Sequence, residues 1–193
     1  SYQSAVLPGL RGAIAAELVD RIDQARGAGY FLNVEDPELR LVTGWLLTLA
    51  EPTCLNTTAF AVAGLHQGRL ASQVYRYDDA IQFTDNALES TGLDPDHYDT
   101  LTARFDLAVW NGKAGRIEHA IDLSEALQAD QERILDTYHH DTLTTRSNLA
   151  SLNGDAGRIE VAIDLFQALL ADQLRVHDPD HPDSLTTRNN LAS

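Results

Sequence analysis

In its 193 residues the chain has no methionine, one cysteine, Cys54, and one lysine, Lys113. A single thiol excludes an intramolecular disulfide framework and cannot by itself make a thiolate metal site. Basic residues are scarce as well: 14 Lys and Arg face 29 Asp and Glu, for a net charge of −15. Nucleic acid and anionic membrane both need a cationic face, so neither is expected as a main partner. No apolar run approaches the roughly 18 residues of a membrane helix, and Arg11, Glu17, Asp20 and Arg21 break up the N-terminal stretch. No segment alternates with period two over a useful length, which excludes a sheet-built fold. No nucleophile motif surrounds any Ser, Cys or Thr, and no phosphate-binding loop or zincin-type helix is present, so the chain reads as non-enzymatic, without cofactor or metal. A cytoplasmic setting is the expectation for such a chain. Its opening Ser, the absence of Met and an end in mid-pattern point to a piece of a longer protein.

What is present is a repeat. Thr142-Leu143-Thr144-Thr145-Arg146-Ser147-Asn148-Leu149-Ala150 returns after 42 residues as Ser184-Leu185-Thr186-Thr187-Arg188-Asn189-Asn190-Leu191-Ala192. It also occurs one period earlier, as Thr100-Leu101-Thr102-Ala103-Arg104-Phe105-Asp106-Leu107-Ala108. Ala114-Gly115-Arg116-Ile117 likewise becomes Ala156-Gly157-Arg158-Ile159. A fixed period of this size signals stacked structural units without a single central core. The 44% hydrophobic content is that of folded protein.

Helical periodicity fills the units. Leu10, Ile14, Leu18, Val19 and Ile22 predict a helix over 8–26, and Gly27-Ala28-Gly29 stops it; with no strand before it and no helix after it, this Gly-x-Gly is a helix stop and not a phosphate loop. Asp36-Pro37-Glu38 reads as N-cap, first-turn proline and dipole-matched acid of a helix through Leu39, Val42, Trp45, Leu46 and Leu49, ended by Pro52. Further helices are predicted over 53–70, 78–89, 99–113, 117–135, 141–155 and 159–176, with a last one from 183. Asp99, Asp141 and Asp183 stand where an N-cap belongs, and Gly115 and Gly157 in the turn between paired helices, where a missing Cβ lets them pack antiparallel. Residues 75–193 follow the repeat register; residues 1–74 follow it loosely and read as degenerate repeats or a helical cap.

The positions within the unit resemble the tetratricopeptide repeat. Leu149-Ala150 is its Leu-small pair of the first helix (A), Gly157 its turn glycine, and Ala162-x-x-x-Phe166 its small-aromatic signature of the second helix (B). The period and the phrase Leu-Thr-Thr-Arg-Asn-Asn-Leu-Ala resemble the kinesin-light-chain variety, which is common in bacterial multidomain proteins. Asn111 and Asn153 stand where the family has Tyr in helix A, and Ser124 replaces the helix B aromatic. The resemblance implies an all-α fold, a right-handed superhelix of antiparallel helix hairpins, with the A helices lining a concave groove for a peptide or a partner's helix.

At 100° per residue, Arg146, Leu149, Ala150 and Asn153 share one face of helix A, and Thr144, Ser147, Asn148, Ser151 and Asp155 the opposite one. The second face is expected to line the groove. Its counterparts are Thr102, Phe105, Asp106, Val109 and Lys113 one period earlier and Thr186, Asn189, Asn190 and Ser193 one period later. Asn148 and Asn190 are the leading peptide ligands, because a carboxamide both donates to and accepts from an extended backbone; the resemblance implies the same, since the family often contacts peptide at that Asn. Phe105 and Val109 would add an apolar pocket and Lys113 a charge. Arg104, Arg146 and Arg188 fall on the packing face and are expected to find carboxylates, Asp130 meeting Arg146 and Asp172 meeting Arg188 between neighbouring repeats.

His97, His139 and His181 recur two residues before an Asp, but successive repeats stand about 10 Å apart, so the three cannot share an ion and read as loop and cap chemistry. His140 beside His139 adds only adventitious metal binding, and the Asp-Pro-Asp turns at 94–96 and 178–180 leave an EF-hand spacing incomplete. The partner is therefore expected to be a protein or peptide. Two alternatives stand beside this: homo-oligomerisation through Leu185 and Leu191 of the last helix, and an enzyme site near Tyr30 and Trp45.

Overall fold

The computed structural model describes residues 2–27, 29, 31–49, 58–90 and 93–192, with side chains from residue 13 onward except that of Leu49. Cys54, Pro52, Tyr30 and Ser193 lie outside the described residues. Nine helices and no strand occur among the described residues: α1 (Tyr2–Arg26), α2 (Pro37–Leu49), α3 (Thr58–Gln73), α4 (Tyr77–Leu88), α5 (Tyr98–Lys113), α6 (Ile117–Ile134), α7 (His140–Asp155), α8 (Ile159–Val176) and α9 (Pro182–Ala192). They form two compact units, Ser1–Ala103 and Arg104–Ser193.

In the first unit, α1 starts well before Pro8 and turns Ala15, Leu18 and Ile22 onto Val42 and Leu46 of α2 and Ala59, Val62 and Ala63 of α3. Ile14 is 38% exposed, so the buried stripe is one residue further round than the four-residue spacing predicts. Trp45, one of the apolar residues that mark α2 in the sequence, is 59% exposed. Leu39, Val42 and Leu46 centre the buried stripe of that helix, and 100° steps carry residue 45 about a quarter-turn or more off it. The Asp36 cap is present, its Oδ1 accepting from the N–H of Glu38 at 2.8 Å and of Leu39 at 3.3 Å. Gln67 of α3 donates to the Arg40 carbonyl at 3.0 Å and to Thr43 Oγ1 at 2.8 Å, which ties α3 to α2. Gly64 lets α3 approach α4, since a Cβ there would stand 3.0 Å from the Ala87 methyl and the Phe83 carbonyl oxygen.

The second unit is two hairpins and a following helix. Ala120 and Ile121 of α6 pack on Leu149 and Leu152 of α7, and Leu143 and Ala150 of α7 pack on Phe166 and Leu169 of α8. Arg104 meets Asp130, and Arg146 meets Asp172, each at 2.8 Å. This corrects the expected pairing between neighbouring repeats. Helices of a hairpin run antiparallel, so the start of helix A lies beside the end of helix B of the same hairpin, and the ion pair closes within it. The Arg104 guanidinium, donating to the Asp130 carboxylate, holds that carboxyl below its ordinary pKa.

The helix starts also differ from expectation. The N-caps are the histidines: Nδ1 of His97, His139 and His181 accepts from the N–H of Asp99, Asp141 and Asp183 at 3.1, 3.2 and 3.3 Å. Each aspartate sits inside the first turn, where its charge faces the positive helix end. Imidazole in that role does what Ser or Asp usually does, and its acceptor nitrogen reaches two residues forward.

Gly115 (φ +80°) and Gly157 (φ +77°) occupy the left-handed region, and a Cβ at either would meet nothing within 4 Å. Backbone conformation, and not helix crowding, is what these turns ask of glycine. Tyr75 holds the equivalent position before α4 with φ 61°. A side chain there costs about 1–2 kcal/mol. Tyr75→Gly is therefore expected to stabilise the first unit by up to about 1 kcal/mol, after the entropy glycine adds to the unfolded chain; a lower urea midpoint in the variant would refute it.

Candidate functional site

Helix α7 carries the site. Its start is fixed by the His139 cap and by Thr142 Oγ1, which donates to the Asp136 carbonyl at 2.8 Å. Its packed face holds Leu149, Ala150 and Asn153, all buried. Asn153 and Asn111, standing in for the family's tyrosine, each donate Nδ2 to the carbonyl four residues back at 2.9 Å, which satisfies the donor inside the helix itself.

The opposite face opens onto a concavity of about 330 Å³. Phe105 of α5, Thr144, Ser147, Asn148 and Ser151 of α7, and Asp183 and Thr186 of α9 line it, over a floor that includes Gln173 of α8. Five of the ten predicted contacts thus come together: Phe105, Thr144, Ser147, Asn148 and Ser151. Asn189, Asn190 and Lys113 are exposed, and Asp106 and Val109 half-buried, outside that concavity. Asn148 donates Nδ2 to Ser124 Oγ at 3.3 Å, and Ser124 donates to the Ala120 carbonyl at 2.8 Å. The small residue that replaces the usual aromatic thus gives the carboxamide an anchor on α6.

Sequence reasoning missed Gln173. It is buried, it lines the concavity, and its Oε1 has no hydrogen-bond partner. Buried acceptors are rarely left so. Its recurrence as Gln131 one period earlier was the available signal. Of the residues expected to mediate self-association, Leu185 is 42% exposed, while Leu191 packs against the cluster around Leu169.

The A helices therefore present a largely polar concavity, from a unit that recurs in sequence. The family model for the tetratricopeptide repeat matches residues 141–193. Residues 141–193 are tetratricopeptide repeat. Several solved structures share the fold of the chain, these three among them. The first two are crystal structures of a protein of Podosopora anserina, assigned as a kinesin light chain with nearly identical TPR-like repeats. The form carrying a single substitution has TM-score 0.68 at 20% identity over 96% of this chain and 84% of that one. The other form has TM-score 0.67 at 20% identity, over 96% and 85%. BtubC (BKLC) from P. vanneervenii has TM-score 0.58 at 18% identity, over 94% of this chain and 64% of that chain. No curated protein sequence matches the chain. The fold is thus all-α, built from helix hairpins of the tetratricopeptide-like solenoid class. Repeats of this class generally serve protein–protein binding. No helix among the described residues is long and apolar enough to cross a membrane.

Proposed function

We propose that the second unit is a protein-interaction module that holds an extended peptide segment in the concavity over α7. The observation that carries this reading is the buried, unpartnered Oε1 of Gln173 beneath a lining of Thr, Ser and Asn. Hydroxyls and a carboxamide recognise a peptide backbone without demanding one side chain, and the orphan acceptor takes a peptide N–H. With a net charge of −15 and Asp183 in the lining, neutral or basic segments are favoured over acidic ones. Repeat proteins of this kind are typically non-enzymatic scaffolds, and a cytoplasmic protein partner is the setting this reading implies.

The test is a pull-down from source lysate with the wild-type chain and an Asn148→Ala/Thr186→Ala variant matched by circular dichroism. A partner held by the wild type should bind the variant about tenfold or more weakly, roughly 1.4 kcal/mol. Equal binding by both proteins would remove the concavity from consideration. A mass that rises with concentration in light scattering would instead favour self-association through α9, where Leu185 is exposed.

A further inference from the structure

The repeat period supplies its own controls for the histidines. His97, His139 and His181 occupy equivalent caps, yet only the last has a second histidine four residues earlier: His177 corresponds to Leu135 and Leu93 in the preceding copies. The segment between α8 and α9 brings this extra imidazole onto the cap. The rings of His177 and His181 stack with centroids 4.1 Å apart. Asp183 Oδ2 lies 3.7 Å from His181 Nδ1, and one ligand atom from each of His177, His181 and Asp183 lies within 4.8 Å of the others. All three side chains are half-buried, and His177 Nε2 is buried without any hydrogen-bond partner. That last fact is the independent one. A buried imidazole nitrogen with nothing to donate to or accept from is an uncompensated polar group, and a ready lone pair for a cation.

We propose that His177, His181 and Asp183 form a divalent transition-metal site, with zinc the ion its ligand chemistry fits best. Two imidazoles and one carboxylate are borderline ligands suited to zinc, at about 2.0–2.2 Å from the ion. Ligand atoms around one such ion stand roughly 3–4 Å apart, so the present separations need only small side-chain rotations. Binding through His181 Nδ1 exchanges its long 3.3 Å cap bond from the Asp183 N–H for the metal bond. His140, whose Nδ1 lies 3.7 Å from the same Asp183 oxygen, is placed to join as a fourth ligand; otherwise water completes the shell. The Asp183 carboxylate offsets the unfavourable meeting of a cation with the positive end of α9. The site occurs at one repeat junction, and the cap histidines of the earlier repeats, each with a leucine where His177 stands, lack it.

Titration of the full chain with zinc chloride by calorimetry should show one saturable site, and cobalt(II) loaded in its place should give the d–d absorption of a histidine-ligated ion. His177→Leu, which installs the residue of the other two copies, should weaken zinc binding at least about tenfold. Asp183→Asn should do the same with the carboxamide keeping the side chain's shape, and circular dichroism would show both variants folded. His139→Ala, which removes an equivalent cap with no third ligand, should leave the affinity unchanged. Absence of saturable zinc binding at millimolar ion would overturn the proposal. So would unchanged binding in His177→Leu, or a loss in His139→Ala as large as in His177→Leu.

Discussion

Lowering the pH from 7 toward 4 is expected to strip up to about 3 kcal/mol from the stability of the first unit, through one histidine. His66 of α3 is 1% exposed, and neither of its ring nitrogens has a hydrogen-bond partner. Burial first, then the Arg40 and Arg69 guanidiniums, lower its pKa from 6.5 to about 4, against a weaker opposing pull from Asp36. Between those two values the unfolded chain binds a proton that the folded chain refuses. Stability therefore rises with pH across that window, is fully present above the unfolded value, and is lost as the pH falls toward the folded one. His66→Leu keeps the volume and removes the titrating group and two unpaired nitrogens. The variant should be at least as stable as the parent at pH 7 and should lose this part of the slope below pH 6.5. Urea melts of both proteins at pH 7, 5.5 and 4.5 would decide it, and parallel pH profiles would show that other groups carry the acid response.

Leu169→Ala is expected to cost the second unit about 2–5 kcal/mol. Leu169 is fully buried between Leu143 and Ala150 of α7 and Phe166 of its own helix, with Leu191 of α9 leaning on the same cluster. One side chain thus joins three consecutive helices, and a repeat array owes its stability to such interfaces. Marginal domains hold only about 5–15 kcal/mol in all, so the variant should unfold at a much lower denaturant midpoint. Leu185→Ala, at a position 42% exposed, should stay within about 0.5 kcal/mol of the parent. Similar midpoints for the two variants would mean that the cluster does not hold these helices together.

Period and patterning made the helices legible. The paired helices from α4 to α9 begin and end within about two residues of their expected bounds, because turn glycines and cap residues repeat in phase with the apolar positions. Faces were legible where a leucine and an alanine marked the packed side, as in α7. Partners were not. The Arg146–Asp172 pair needed the antiparallel geometry of a hairpin, which composition does not state. The exposure of Trp45 was not legible for a simpler reason: hydrophobicity says that a side chain prefers burial, and the helix angle says whether it gets it. His66 and His177 lie outside every motif, since their chemistry comes from what surrounds them in space.

The closure of Arg104 and Arg146 within their own hairpins has an evolutionary reading. Arg104 with Asp130 and Arg146 with Asp172 leave neither repeat dependent on its neighbour for the neutralisation of that charge. Among the charged contacts that do cross between copies, Arg158 with Glu118 is an exposed pair of small worth. Duplication or deletion of a whole 42-residue unit by unequal recombination would therefore strand none of these charges. Such a gene can lengthen or shorten its array in single steps, and the near-identity of the phrases at 142–150 and 184–192 is the mark that a process of this kind would leave.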